Sequence, residues 1–407
     1  MSILHRLPYS NQLRSAVLFF QKFGFGIEQF RLVRKYLTGA LFPDLGDVAH
    51  LKAAMEWLAL SQDVCNGDGC SNHFTLKSGW GVAYPETSGY ILATFLAYSD
   101  YSGDKSYVDR AIRIGDWEID IQAPNGGVYS STVLKQTRVF NTGQVILGWC
   151  VLYELTGDKK YLHAAQRAGE YLIKEQESDG TWKRDTYCGA RTYHARVDWA
   201  LLRLAQLTGD SRYVDVAVKN LQWVLRQQQQ NGWFAQCGFD DADPIMHVIV
   251  YTLRGLFECS QINYPEIEKL ELLPIVLKSV DALLLALQAQ TVAGIHGMVP
   301  AAFDEHWKSK AKDSCLTGNA QFCCLLYRMS RCTGNQRYRD IADTILTATK
   351  KTQLIETTLL PIKGAIAGSY PLSSGYVANG YPNWAVKFFS DALLMKINYS
   401  KGLTIPA

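Results

Sequence analysis

The stretch Arg138-Val139-Phe140-Asn141-Thr142-Gly143-Gln144-Val145-Ile146-Leu147-Gly148-Trp149 decides the fold of this chain. Its polar residues open an apolar helical run, which closes at the turn Leu155-Thr156-Gly157-Asp158 before a second helical run from Lys159 to Gln176. Apolar residues at helical spacing on both sides of a glycine turn are typical of a helical hairpin. The chain repeats this unit along its length.

Five other segments open a helix in a similar way, so the sequence contains an internal repeat of one helical hairpin and a loop. In the strong copies, the third residue of the four-residue helix start is small and the fourth has a side chain that can hydrogen-bond. This combination suits helix starts that approach closely around a shared cavity. Helix capping alone accounts for Ser88 or Thr142 but not for Arg196. The helix starts are Thr87-Ser88-Gly89-Tyr90, Asn141-Thr142-Gly143-Gln144, Tyr193-His194-Ala195-Arg196, Gly318-Asn319-Ala320-Gln321 and the weaker Met246-His247-Val248-Ile249 and Asn383-Trp384-Ala385-Val386.

Partner helices with one apolar side and one charged side alternate with these six. The segment Asp47 to Gln62 is counted as the outer partner of the last inner helix, which gives six inner and six outer helices. Six such hairpins can form a closed ring. The predicted fold is therefore all-α, an (α/α)6 toroid over residues 45–407 with a helical appendage at 1–44. The other predicted outer helices are Lys105 to Gln122, Lys159 to Gln176, Ser211 to Gln229, Pro265 to Gln288 and Gln336 to Thr352.

Composition excludes several classes of protein. Of the 407 residues 48% are hydrophobic and 19% charged, which is typical of a folded globular chain. A net charge of +3 without a long basic run argues against nucleic acid as a partner. No apolar run is long enough to span a membrane and no convincing signal peptide opens the chain, so a cytoplasmic location is expected.

The ten cysteines are irregularly spaced and are interpreted as reduced thiols. Cys150, Cys259, Cys323 and Cys324 lie in apolar helical patterns where a small buried side chain fits. The loop from Cys65 to Cys70 is rich in glycine but lacks the spacing of a zinc site. No metal and no cofactor is predicted.

Residues 11–37 are predicted to form one or two amphipathic helices broken near Gly24-Phe25-Gly26. Basic residues such as Arg14, Arg31 and Arg34 alternate with Leu, Phe and Val. Such a segment can pack on its own domain, or it can lie on a membrane or dock to a biosynthetic complex, and both readings stay open. The oligomeric state is not predicted.

The loops before the inner helices are rich in aromatic, amide and carboxylate side chains, which suit a carbohydrate because sugar faces stack on rings while hydroxyls hydrogen-bond. Some of these tryptophans, Trp182 and Trp233 among them, can equally well plug the rim. The predicted substrate-binding residues are Trp80, Tyr84, Tyr90, Asn141, Gln144, Tyr193, Arg196, Asp198, Trp233, Trp307, Asn319, Gln321, Asn383 and Trp384.

Candidate acid–base residues lie next to the helix starts. Glu86 follows Pro85 and should lie on the rim, although an acid also favours a helix amino end for electrostatic reasons. His194 and His247 at matching positions, with Arg196 between His194 and Asp198, would suit an anionic sugar such as a uronic acid. For each of these side chains, the alternative is a structural role in helix packing or helix capping. The predicted catalytic residues are Glu86, His194, Asp240, Asp241, His247 and Tyr370.

The repeat resembles the six-hairpin glycosidase superfamily over residues 45–400. The resemblance also rests on Gly79-Trp80, the segment Tyr84 to Tyr90, Ser369-Tyr370-Pro371 and the segment Pro382 to Phe389. The motifs are similar to a branch associated with bacterial polysaccharide biosynthesis. The resemblance implies relatives such as unsaturated glucuronyl hydrolases, glucuronyl C5-epimerases, N-acylglucosamine 2-epimerases and polysaccharide lyases. No complete catalytic motif of these enzymes matches residue by residue.

The leading hypothesis is an enzyme acting on a uronic-acid-containing polysaccharide or oligosaccharide at the mouth of the toroid. Glu86 and an aspartate of 240–243 would act as acid and base in hydrolysis, while His194, His247 or Tyr370 would move the proton in epimerisation or elimination. The alternative is a non-catalytic glycan-binding or scaffold protein of a polysaccharide biosynthesis system. A terpene-cyclase-like use of the toroid lacks its aspartate-rich motif.

Overall fold

Helices dominate the computed structural model, which describes residues 10–240 and 242–400. Short strands occur only in the connecting loops of this part of the chain, and a 3₁₀ turn at Thr192–His194 precedes α8. The elements are α1 (Ser10–Phe23), α2 (Ile27–Thr38), α3 (Asp47–Asp63), β1 (His73–Thr75), β2 (Gly79–Trp80), α4 (Pro85–Ser102), α5 (Ser106–Asp120), α6 (Val139–Thr156), α7 (Lys159–Glu175), α8 (Ala195–Thr208), α9 (Ser211–Leu225), α10 (Met246–Ser260), α11 (Pro265–Glu268), α12 (Leu272–Gln288), β3 (Ser314–Cys315), α13 (Leu316–Thr333), α14 (Gln336–Lys350), β4 (Ser369–Tyr370), β5 (Gly380–Pro382) and α15 (Asn383–Ser400).

Six helices form a closed inner ring. In order they are α4, α6, α8, α10, α13 and α15, each in contact with the next, and α15 returns to contact α4. The outer helices α5, α7, α9, α12 and α14 each pair with the inner helix before them, and α3 packs against α15. The predicted (α/α)6 toroid is confirmed, including the assignment of the first outer helix to the last inner one.

Small residues allow the inner helices to approach closely, as the repeat predicted. A Cβ atom at Gly89 would lie 2.8 Å from Val145 Cα, and one at Gly143 would lie 3.0 Å from Val197 Cα. At Gly148 it would overlap the carbonyl oxygen of Gly89. Glycine at these positions therefore sets the spacing of α4, α6 and α8 and hence the width of the ring.

Replacing Gly148 with alanine is expected to destabilise the fold by about 1–3 kcal/mol, because the new methyl group must push α6 away from the α4 backbone. This loss outweighs the gain of about 1 kcal/mol in helix propensity. Urea unfolding measures the difference. Gly26→Ala is the control, since its Cβ would meet only the movable Gln29 side chain. Equal stability of the Gly148 variant and the parent would contradict the close packing.

One predicted outer helix is wrong in its extent. The pattern from Pro265 to Gln288 suggested a single helix, but the chain breaks into α11 and α12, and Glu271 between them adopts φ 48°. Ile267 and Leu272 on the two sides of the break are both buried. Apolar spacing continues across the interruption, which hid it, although Pro274 in the first turn of α12 was a signal that a helix begins there.

The hairpin of α1 and α2 is broken at residues 24–26 as predicted, and it packs on the loops of the toroid. The Tyr36 and Tyr381 hydroxyls lie 3.3 Å apart, and Glu28 accepts hydrogen bonds from Thr357 and Thr358. Tyr381 belongs to β5, which pairs antiparallel with β1. The hairpin therefore rests on the sheet that leads into α15. The domain boundary at 44/45 stays a prediction.

The buried cysteines predicted for the core lie there. Cys150, Cys259, Cys323 and Cys324 are all buried on inner helices, and all ten cysteines are free thiols. Among the helices of residues 10–240 and 242–400, none combines the length and apolar character needed to cross a bilayer.

Candidate active site

A cavity of about 320 Å³ opens where the amino ends of several inner helices meet. The second residues of α4, α6, α10 and α15 all line it, and residues one turn further along α4 and α10 complete the helical walls. Residues from four connecting loops complete the lining. The lining residues are Tyr84, Glu86, Tyr90, Phe140, Tyr187, Phe239, His247, Tyr251, Tyr376 and Trp384.

Glu86 is the one carboxylate among these lining residues. Pro85 starts α4 and places Glu86 in its first turn, where a helix amino end favours an acid. Burial raises the pKa of Glu86 to about 7, although the Tyr84 hydroxyl and the charge of Arg196 act in the opposite direction. The carboxyl group therefore carries its proton in a large share of molecules at neutral pH and can donate it to a bound ligand.

A chain of hydroxyls extends from Glu86. Tyr84 Oη lies 3.1 Å from Glu86 Oε2 and 2.9 Å from Tyr187 Oη, and Tyr187 donates to Asn141 Oδ1 at 3.0 Å. Each hydroxyl has one hydrogen, and Asn141 Oδ1 only accepts. The Tyr84 hydroxyl donates to Glu86 Oε2, which favours the ionised carboxylate and partly offsets the effect of burial on the pKa of Glu86.

His247 lines the cavity from α10 as a neutral imidazole. Burial lowers its pKa to about 3, with a smaller opposing effect from the hydrogen bond to Gln321. Nδ1 lies 3.1 Å from Gln321 Oε1, which only accepts, so the hydrogen resides on Nδ1. Nε2 consequently keeps a free lone pair. His247 can accept a proton, whereas it does not supply positive charge.

The predicted cluster of His194, Arg196 and Asp198 does not assemble in this cavity. The His194 ring packs against Tyr193, and Asp198 accepts a hydrogen bond from Asn220 of α9 at 2.6 Å. Of His194, His247 and Arg196, which the sequence placed side by side at one cavity, only His247 lines this one.

Arg196 lies beside the Glu86 cavity and not on its lining. It lines a second cavity of about 390 Å³ between the carboxyl-terminal halves of inner helices, and its Nε donates to Gln144 Oε1 at 2.8 Å. The guanidinium lies over the rings of Trp199 and Tyr251. Arg196 is therefore not among the ten residues that line the Glu86 cavity, which include neither a lysine nor another arginine, although its charge still lowers the pKa of Glu86.

Several other predicted catalytic residues lie away from the cavity. Asp240 is exposed and caps its own loop by accepting from the Ala242 backbone, and Asp241 lies outside the described residues. Tyr370 donates its hydroxyl hydrogen to the Gly39 carbonyl, far along the chain in the linker after α2. Neither Asp240 nor Tyr370 is among the residues that line the cavity.

Many predicted binding residues support the rim instead of lining the cavity. Trp233 packs edge-on against Trp307, and Trp80 packs against Trp57. The remaining members are buried and hold helix starts or loops through their hydrogen bonds or ring contacts. They are Asn141, Gln144, Tyr193, Asn319, Gln321 and Asn383.

Five lining residues were not predicted. Tyr251 lies one turn after His247, and Phe140 has the place in α6 that Glu86 has in α4, so the repeat held a signal for both. Tyr187, Phe239 and Tyr376 come from loops whose course no local pattern determines. Of the predicted residues, Tyr84, Glu86, Tyr90, His247 and Trp384 do line the cavity.

The raised pKa of Glu86 makes a prediction about stability. Because the folded pKa of about 7 exceeds the ordinary glutamate value of 4.5, stability is lost as the pH rises from 4.5 to 7. The change in the free energy of unfolding caused by Glu86→Gln should therefore be about 2–3 kcal/mol more stabilising at pH 8 than at pH 4.5. Urea unfolding at both pH values measures this difference, with exposed Glu56→Gln as the control. An equal effect at both pH values would contradict the shift.

Comparisons with known proteins point to glycoside hydrolases. The sequence model described as the beta-L-arabinofuranosidase GH127 catalytic domain matches residues 88–264, less than half of the chain. A segment of 134 residues is 26% identical to a mannan endo-1,6-alpha-mannosidase of Candida glabrata, and it covers 30% of this chain and 28% of that protein. The chain thus spans under a third of this relative.

Solved structures match over nearly the whole chain. The unsaturated glucuronyl hydrolase of Bacillus sp. GL1 has a TM-score of 0.70 at 16% identity, covering 89% of this chain and 98% of its own. That of Streptococcus agalactiae has a TM-score of 0.64 at 13% identity, with 92% and 96% covered. A family 88 glycosyl hydrolase of Bacteroides vulgatus has 0.63 at 12% identity, with 87% and 99% covered. This chain therefore has the (α/α)6 toroid fold of these solved hydrolases, and part of its sequence is similar to glycoside hydrolases.

Proposed function

We propose that this protein hydrolyses a glycosidic bond in a polysaccharide or oligosaccharide, with Glu86 as the general acid. The observation that supports this most directly is a buried, protonatable carboxyl group on the wall of an aromatic cavity. Tyrosine, phenylalanine and tryptophan rings surround Glu86 and can stack on the faces of a sugar. Glycosidases protonate the leaving oxygen with a carboxylic acid of raised pKa, as here.

His247 is the proposed acceptor for the water proton. Glu86 gives its proton to the glycosidic oxygen as the bond to the anomeric carbon breaks, and water adds to that carbon while His247 Nε2 takes the water proton. The ionised Glu86 then stabilises protonated His247, because an opposite charge nearby favours the charged form. The exposed loop aspartates are a second source of base, which the substitutions below distinguish.

The lining residues favour a neutral sugar beside Glu86. A uronate carboxylate would normally bind to arginine or lysine, and the cavity has neither. Epimerisation and elimination next to a carboxylate need a comparable positive charge to stabilise the developing enolate. Hydrolysis of a neutral residue is therefore the preferred reaction, and a uronic acid elsewhere in the same glycan remains compatible with it.

The test is a screen of neutral and acidic oligosaccharides by NMR in D₂O. Hydrolysis yields a new reducing end, elimination yields a vinyl proton signal, and epimerisation exchanges a ring proton for deuterium. A new reducing end that is absent with Glu86→Gln supports the proposal. Turnover through either other reaction, or hydrolysis that Glu86→Gln leaves unchanged, would refute it.

A non-catalytic glycan-binding protein is the second candidate, because Glu86 is the one carboxylate that lines the cavity. This role predicts oligosaccharide binding without a new reducing end. Trp384→Ala should weaken such binding, since the Trp384 ring lines the cavity and its indole is held by the Tyr376 hydroxyl at 2.9 Å. Calorimetry beside the NMR screen separates the two roles.

A further inference from the structure

The exposed side of the α1–α2 hairpin carries a continuous row of large apolar side chains. Leu13, Val17, Phe25, Ile27 and Phe30, which we call the apolar hairpin face, are exposed by between 53% for Leu13 and 78% for Phe25. On α1, Leu13 and Val17 lie on the same side one turn apart. Side chains of this size are usually covered when they cluster.

Ring contacts make this row one surface across both helices. Phe20 lies one turn beyond Val17, and its ring centroid is 4.8 Å from that of Phe25 and 4.8 Å from that of Phe30. Phe25 also lies 6.3 Å from Phe30. The turn between the helices is thus an aromatic tip that projects into solvent.

Positive charges border this face. Arg14, Arg31 and Arg34 are exposed, and they follow or lie one turn from its apolar residues. The acid in the hairpin sequence, Glu28, is turned toward the toroid and accepts from Thr357 and Thr358. The solvent side of the hairpin therefore presents apolar groups and arginines without an opposing carboxylate of its own.

The opposite side of the hairpin already secures it to the toroid. Phe19, Leu32 and Val33 are buried, and Lys22 lies over the ring of Phe74 in β1. The exposed face is consequently not required for this packing. Because β1 pairs with β5, and β5 leads directly to Trp384 of the Glu86 cavity, the hairpin lies on the cavity side of the ring.

We propose that the apolar hairpin face binds an anionic lipid membrane surface, with its aromatic tip in the headgroup region and its arginines on lipid phosphates. A second copy of the same face is a poorer occupant, because a twofold contact would bring like charges together. Such binding would hold the mouth of the Glu86 cavity close to the bilayer.

Vesicle co-sedimentation with the full chain tests the proposal independently of any enzymatic activity. The parent protein should bind phosphatidylcholine vesicles containing phosphatidylglycerol more tightly than pure phosphatidylcholine vesicles, and added salt should weaken the difference. Combined Phe25→Ser, Ile27→Ser and Phe30→Ser should weaken binding at least about tenfold. Arg31→Gln with Arg34→Gln should weaken it by roughly fivefold for each arginine.

Leu285→Ser with Leu155→Ser is the matched control, because both leucines are more than 50% exposed but lie on α12 and α6, outside the hairpin. This pair should bind vesicles like the parent. Equal binding to both kinds of vesicle, or undiminished binding by the hairpin variants, would overturn the proposal. So would a dimer seen by light scattering that the triple serine variant abolishes, since this would identify a second copy as the occupant.

Discussion

Glu86→Gln is expected to lower kcat/KM on the substrate found by the screen by about 10²–10⁴, the usual contribution of a positioned general acid. Glutamine preserves size and hydrogen bonding to Tyr84 but cannot give a proton to a leaving oxygen. Initial rates of reducing-sugar release measure the loss. A variant with parental kcat/KM would exclude Glu86 as the acid.

The pH profile adds a second, independent readout. The reactive form is protonated Glu86, and its pKa is about 7, so the parental rate should fall about tenfold for each pH unit above that value. The residual activity of Glu86→Gln should lack this limb. His247→Gln should also lower the rate, whereas Asp240→Asn should not if His247 takes the water proton. Loss with Asp240→Asn instead would move the base to the loop.

Glu258→Gln is expected to destabilise the protein by about 3–5 kcal/mol, because it leaves two arginines without their buried counter-charge. Glu258 is 2% exposed on α10, and its oxygens lie 2.6 Å from Arg254 Nε and 2.6 Å from Arg328 Nη2. Arg328 belongs to α13, so the cluster joins two neighbouring inner helices. Chemical unfolding at pH 7 measures the loss.

The exposed pair of Glu154 and Arg203 supplies the control. Its atoms are also 2.6 Å apart, but Glu154→Gln should cost less than about 1 kcal/mol because water screens the pair. Burial alone would raise the pKa of Glu258, yet Arg254 and Arg328 lower it overall. The stabilisation by Glu258 is therefore present above pH 4.5 and is lost as the pH falls through the lowered pKa. Similar losses at Glu154 and Glu258 would contradict this account.

The fold could be predicted because its information is local and repeated. The glycine turn at Gly157 recurs at Gly103, Gly209 and Gly334, and all four glycines adopt positive φ at the ends of inner helices. The small residues at Gly89 and Gly143 mark helix contacts that any closed ring of this size requires. The break at Glu271 escaped because apolar spacing continues through it and outweighed the signal of Pro274 in the first turn of α12.

The site was only partly predictable, because it depends on which way side chains point. Glu86 and His247 lie in first turns whose position the repeat gives, and both line the cavity. His194 and Asp198 lie near an equally well-predicted start but turn into the packing between helices. Tyr187 comes from a loop, and its place is set by its bonds to Tyr84 and Asn141, which are distant in sequence.

The hydroxyl chain from Glu86 ends at an amide that cannot pass a proton on. Asn141 accepts from Tyr187 through Oδ1, while its Nδ2 donates to the Tyr129 carbonyl at 3.3 Å. Amide groups of this kind do not exchange hydrogens along a relay under ordinary conditions, so the chain has no exit to solvent through Asn141. Glu86 must therefore recover its proton through the cavity itself, and a product that still fills the cavity would delay the next turnover.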